Sequence, residues 1–205
     1  MLKKKYLMLL QALTLAVLLS SCAHIRLSDT WKDPGYQGHP QKVLVLAMAR
    51  SKTVEIMFEN QLVEQLERHG LIAVAGHDVL PDDLALQREA LKRAVKEKDI
   101  DTIFIAGPTN RQDLKALRPG ERSYADEAFA DPSTGNYLNY GGPSYDSGIY
   151  VKHVNVEMVL YDVRLNKRIW SALGDIKIWD TPEKEIQPAV KHIMEVLISE
   201  KIIPL

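Results

Sequence analysis

The sequence predicts an α/β fold: β-α-β-α-β, then a long loop, a β-hairpin and a C-terminal helix, with a mixed sheet sandwiched with helices. Three observations carry this reading. Short continuous apolar runs at 43–49, 71–75 and 102–106 have the character of strands buried on both faces. Between them lie two segments whose apolar residues recur at helical spacing. Beyond them an alternating segment turns and comes back, the pattern of an antiparallel pair. With 205 residues, 46% of them apolar and 26% charged, the composition is that of one globular domain of ordinary size.

The elements follow in order. Val43 to Ala49 (VLVLAMA) stands between Lys42 and Arg50 and reads as the first strand. Thr53 to His69 reads as a helix, because Val54, Phe58, Leu62 and Leu66 form one apolar stripe and Gly70 supplies a stop. Glu55, Glu59, Glu64 and Glu67 are expected on its solvated side. Leu71 to Ala75 is a second strand. Pro81-Asp82-Asp83 then marks the start of a helix that runs to about Lys98 and buries Leu84, Leu91 and Val95. Thr102 to Ala106 is the third strand, and right-handed crossovers are expected throughout. In the last third, Val154, Val156, Met158 and Leu160 alternate with polar residues, which predicts a half-buried strand. A turn at Leu165-Asn166-Lys167 leads into the returning strand from Arg168 to Trp179, with Trp170, Ala172, Gly174, Ile176 and Ile178 on one face. The final helix carries Val190, Ile193, Met194 and Leu197, and Pro188 is expected in its first turn.

The first residues speak to compartment. Lys3-Lys4-Lys5 precede an apolar run from Tyr6 to Leu19, whose 14 residues fall short of the roughly 20 that cross a bilayer as a helix. A charged start, a short apolar stretch and small residues after it have the form of an export signal. The run ends Leu19-Ser20-Ser21-Cys22, and Cys22 is the single cysteine of the chain, which excludes an internal disulfide and any multi-cysteine metal site. This tetrapeptide resembles a bacterial lipobox. The resemblance implies cleavage before Cys22, with residues 1–21 as signal peptide, a diacylglycerol on the sulfur and an acylated new amino terminus. A thiolate suits that alkylation far better than a serine hydroxyl. By the same resemblance Ala23, where an Asp would mark inner-membrane retention, implies an outer-membrane anchor facing the periplasm.

Charge narrows the partners. The net charge is -1, from 26 basic and 27 acidic side chains. Loss of Lys3, Lys4 and Lys5 on maturation takes 26 basic side chains to 23, and the mature domain to -4. That balance argues against nucleic acid, which needs a basic footprint. Residues 22–41 hold Ser28, Asp29, Pro34, Gly35, Gly38 and Pro40 with little apolar periodicity, and read as a lipidated N-terminus and tether ahead of a single domain over 42–205. Trp31 within them is expected to dock against the domain and close a sheet edge, or else to touch a partner.

Thr30-Trp31-Lys32-Asp33-Pro34 stands soon before Val43-Leu44-Val45-Leu46. Phe58-Glu59, Leu66 and Gly70 to Val74 follow, and later come Val159 to Val163 and Ile169-Trp170-Ser171-Ala172. Together these resemble a family of uncharacterised bacterial envelope lipoproteins. The order of elements is similar to the α/β fold of the N-terminal domain of TolB. Related domains occur in the curli secretion lipoprotein and in lipoprotein activators of penicillin-binding proteins. The resemblance spans about residues 30–200 and implies a binding or assembly domain without catalysis.

Catalytic motifs are not found. G-x-S-x-G, G-x-x-x-x-G-K-[ST] and G-x-G-x-x-G do not occur, and none of the six histidines stands at metal-ligand spacing to another. No cofactor is expected beyond the covalent lipid. Residues 108–149 are the informative stretch, with four prolines and five glycines in 42 residues. Loops longer than about 12–15 residues are usually functional or disordered. Tyr137, Tyr140 and Tyr145, among Gly, Ser and Asn, have the make-up of a binding loop. Those rings serve a protein partner, self-association, a cell-wall glycan, or packing on the domain's own sheet. The carboxyl ends of the parallel strands, where ligands favour open α/β sheets, offer Arg50, His77 and Asp78.

Two functions therefore stand. The leading expectation is a non-catalytic lipoprotein that binds, assembles or regulates in the cell envelope. The alternative is a periplasmic ligand- or glycan-binding protein or hydrolase, with its site near Arg50 and His77. A ring-forming secretion subunit is a third expectation.

Overall fold

The computed structural model describes residues 25–49, 51–81, 84–109, 152–178 and 182–204. The elements are β1 (Ile25–Lys32), β2 (Lys42–Ala47), α1 (Lys52–Arg68), β3 (Ile72–Ala75), a 3-10 turn (Gly76–Asp78), α2 (Leu84–Glu97), β4 (Thr102–Pro108), β5 (Lys152–Asp162), β6 (Lys167–Ile178) and α3 (Pro182–Ser199). The strands form one six-stranded mixed sheet in the order β1-β6-β5-β4-β2-β3. Strand β2 runs parallel to β3 and β4, and the pairs β4-β5, β5-β6 and β6-β1 are antiparallel. The α/β fold read from the sequence is the fold observed.

The continuous apolar strands have the expected cause. In β2, Val43 and Val45 join one core cluster while Leu44 and Leu46 join a second, so successive side chains enter opposite layers. In β4, Phe104 and Ala106 face the first layer, and Ile103 and Ile105 the second. The first layer is filled by Leu62 and Leu66 of α1 and by Val190, Ile193 and Leu197 of α3. The second packs against Leu91 and Val95 of α2. Helix α1 ends at Arg68, and Gly70 takes the left-handed conformation (φ 81) that lets the Leu71 N–H return to the Leu66 carbonyl at 3.2 Å.

Four details depart from expectation. Residues 25–32 are strand β1 and not part of a tether. This strand pairs with β6 from Ile25 opposite Ile176 to Lys32 opposite Trp170, with a register shift between Leu27 and Asp29. Leu27 packs on the first core layer, and the Lys32 ammonium donates to the Glu200 carbonyl at 2.8 Å. Downstream, the Asp33 N–H donates to Ile169 O at 3.0 Å, and the Asp33 carboxylate meets Lys167 Nζ at 2.6 Å. The Lys167 ammonium and the Gly35 N–H hold the Asp33 carboxyl below the usual carboxylate range. Second, Glu59 is buried, as described below. Third, β5 lacks a solvated polar face along its second half: Glu157 and Asp162 are buried with Val159, because core layers cover both faces there, Met158 and Leu160 joining the first and Val159 the second. Fourth, α3 begins at Pro182, so Pro188 lies inside the helix. Pro182 fills the first turn, where a missing N–H costs nothing. Starting that early buries Ile186 ahead of Pro188, which offsets part of the roughly 3 kcal/mol cost of an interior proline.

Trp31 sits on the edge strand β1. It is 38% exposed, and the Arg168 guanidinium lies 4.7 Å from its ring centroid. At the start of β2, the buried Asp101 carboxylate gathers the first backbone donors of the strand. It accepts from the Gln41 N–H at 3.2 Å, the Lys42 N–H at 3.1 Å and the Thr102 hydroxyl at 2.8 Å.

Tyr36, from the segment read as a tether, belongs to the core and is only 6% exposed. Burial, reinforced by the charges of Asp162 and Asp101, pushes its hydroxyl up to about 12. An unfolded tyrosine ionises near 10. The unfolded chain therefore sheds this proton first, so the Tyr36 contribution is whole below about pH 10 and is lost between about 10 and 12. Tyr36→Phe is expected to flatten that part of the alkaline stability curve, measured as urea midpoint against pH. An unchanged curve refutes the assignment.

Candidate functional site

The carboxyl ends of β2 and β3 are joined by a carboxylate from α1. Glu59 is one of three buried residues of that helix, with Leu62 and Leu66, and is 4% exposed. Its Oε1 accepts the Ala47 N–H at 2.9 Å, where β2 ends. Its Oε2 accepts the His77 N–H at 2.8 Å and lies 2.7 Å from His77 Nδ1. One carboxylate thus ties a strand end, a 3-10 turn and an imidazole into a single unit.

Local sequence makes this possible. Gly76 opens the 3-10 turn after β3, and a Cβ there would stand 2.6 Å from Leu46 Cδ2 and 2.9 Å from Glu59 Oε1. Any side chain would displace Glu59 or part β2 from β3. Nearby, the α1 entry is pinned by Glu55, whose Oε1 accepts the Ala49 N–H at 2.9 Å and whose Oε2 lies 3.6 Å from Lys52 Nζ. The Glu55 N–H closes the first turn on Ser51 O at 3.1 Å.

The chemistry follows from this geometry. A carboxylate only accepts hydrogen bonds, so His77 presents Nδ1–H to Glu59 and turns Nε2 the other way. Nε2 lies 3.5 Å from Asp78 Oδ1, and the side chains of His77 and Asp78 are 17% and 66% exposed. The result is an imidazole of fixed orientation at the surface, backed by a buried carboxylate, with the exposed Asp78 carboxylate beside it. Such an imidazole can accept a proton or a hydrogen bond from a bound group.

Of the residues singled out in the sequence, His77 and Asp78 are brought together here. Arg50, Cys22, Tyr137, Tyr140 and Tyr145 lie outside the described residues. Glu59 was expected in solvent with the other glutamates of α1, and that expectation is overturned. Its position three before Leu62 and seven before Leu66 places it on their stripe. Among the described residues no group of three or more His, Cys, Asp or Glu could hold a metal ion. No helix among them is long and apolar enough to cross a membrane.

Glu59→Ala is expected to destabilise the domain by about 3 kcal/mol, since two backbone donors lose their acceptor at about 1–3 kcal/mol each. Glu59→Gln, which keeps an acceptor oxygen, is expected to lose less. Urea unfolding of both variants checks this, and an Ala variant with the wild-type midpoint refutes it.

No family model matches the sequence, and no curated protein is a significant match. Among solved structures the chain is similar to the PelC dodecamer from Paraburkholderia phytofirmans, with 13% identity and a TM-score of 0.47 over 84% of this chain and 95% of that one. A point variant of that dodecamer from the same organism gives 11% identity and a TM-score of 0.46, over 84% of this chain and 97% of that one.

Proposed function

We propose that this chain is a lipid-anchored protein of the bacterial envelope, held in the outer membrane with its domain in the periplasm, and that it works as a binding, assembly or regulatory module without catalysis. The observation that carries the reading is the N-terminal series Lys3-Lys4-Lys5, the apolar run to Leu19, and Leu19-Ser20-Ser21-Cys22 with the chain's single cysteine. Lipid on Cys22 tethers the domain, and an envelope protein or a second copy of the chain is its partner. Tyr137, Tyr140 and Tyr145 are the residues proposed to meet that partner. The test is the intact mass of the protein extracted from membranes. Loss of residues 1–21 with added diacylglycerol and acyl mass is expected. A bare thiol at Cys22 refutes the reading.

A second reading is favoured by one observation, the fixed His77 imidazole backed by Glu59. In it the domain binds a small molecule or glycan, or hydrolyses one, at the strand ends with Arg50, His77 and Asp78. Thermal shifts with cell-wall oligosaccharides, on wild type and His77→Ala, separate the two. A shift seen with wild type and lost in the variant favours the ligand site.

A further inference from the structure

The strand directions place the candidate site and the start of the folded chain at one end of the sheet. Ile25, the first residue of β1, lies opposite Ile176 near the end of β6. Ile176 in turn lies opposite Val154 near the start of β5, and Val156 lies opposite Pro108 at the end of β4. Strands β2 and β3 run parallel to β4, so Ala47 and Ala75 end on the same side. Glu59, His77 and Asp78 are gathered on those two strand ends. The opposite end carries Lys32, Thr102, Asp162 and the turn at Leu165-Asn166.

Only Ala23 and His24 separate Cys22 from Ile25. Three residue steps reach at most about 11 Å, whereas the 11 residues of β5 extend about 36 Å. A lipid on the Cys22 sulfur therefore holds the Ile25 end of the edge strand β1 close to the bilayer, and the connection is too short to let Lys32, at the other end of that strand, take its place; the Glu59–His77 corner lies at the same strand ends, across the sheet on its β2–β3 side. From this we infer that the Glu59–His77 end of the sheet is the membrane-facing surface of the domain, apposed to phospholipid headgroups. The inference rests on the proposed anchor and adds to it a direction. His77 and Asp78 face the lipid surface, and the turn at 165–166 faces away from it.

The experiment uses the full chain, expressed and matured in cells and reconstituted in vesicles of phosphatidylethanolamine and phosphatidylglycerol that contain a headgroup-nitroxide lipid. Asp78→Cys and Leu165→Cys each provide one thiol for a fluorophore, at side chains that are exposed. The sulfur of Cys22 is occupied if the anchor is present, so wild type should float with the vesicles and take no label. Position 78 lies at the anchored strand ends and position 165 at the other ends, so quenching at 78 is expected to exceed that at 165. Equal quenching, or stronger quenching at 165, in protein that floats overturns the orientation and leaves the anchor standing. Wild type that takes label at Cys22 and stays off the vesicles overturns the anchor, and the orientation with it.

Discussion

Cys22→Ser is expected to move the protein from the membrane fraction to the soluble fraction, or to leave it uncut with its leader in place. The serine hydroxyl is a poor nucleophile beside a thiolate, so the diacylglycerol is not transferred. The size of the effect comes from the lipid. Each buried methylene contributes about 0.8 kcal/mol, and a single chain gives only marginal, reversible attachment, whereas two or more are effectively permanent. Without residues 1–21 the side chains sum to -4, so no charge attraction to an anionic bilayer would replace the acyl chains. Fractionation with detergent phase partitioning, beside wild type, reads the result. A Cys22→Ser protein that has lost residues 1–21 and still partitions with lipid refutes the anchor. The fold itself should be untouched, because the first residue of β1 is Ile25.

Trp170→Ala is expected to be the most damaging single change in the core. Trp170 is fully buried at 0% exposure, on β6 between Lys32 of β1 and Leu160 of β5. Its ring packs in the layer shared with α1 and α3, and its Nε1–H donates to Glu200 Oε2 at 2.6 Å. Truncating a buried tryptophan costs about 3–5 kcal/mol. Against a total stability of about 5–15 kcal/mol, that is a large share. In a domain of this size the thermal midpoint should fall by about 6–20 °C. Trp170→Phe fills most of the space and loses the hydrogen bond, so its fall should be smaller. Calorimetry on both variants decides it, and a Trp170→Ala midpoint within a degree or two of wild type contradicts the packing described here.

The parts of the fold that were legible in the sequence are those where one local rule acts alone. Val43 to Leu46 and Ile103 to Ala106 are apolar without interruption because both faces of these strands are covered. Strand β1 was not legible. Its sequence IRLSDTWK alternates imperfectly because the register shifts between Leu27 and Asp29, and an edge strand needs few apolar residues. Its partner β6 is also distant in sequence. Glu59 was hidden for a different reason. Carboxylates on a helix are ordinarily solvated, and only the three-dimensional meeting of Ala47 N–H and His77 with that position makes burial favourable. His77 and Asp78 were found because strand ends of a parallel sheet gather polar groups.

The pairing of β1 with β6 bears on how the molecule is made. A chain that is threaded through a membrane amino-terminus first presents residue 25 long before its opposite number, residue 176, has crossed. Until then the first strand has no ladder to join, and closing so wide a loop carries an entropy penalty that grows with the logarithm of its length. Export of the kind proposed above would leave the leading segment unpaired and open to processing enzymes, with the sheet acquiring its outermost strand only when nearly the whole polypeptide has emerged.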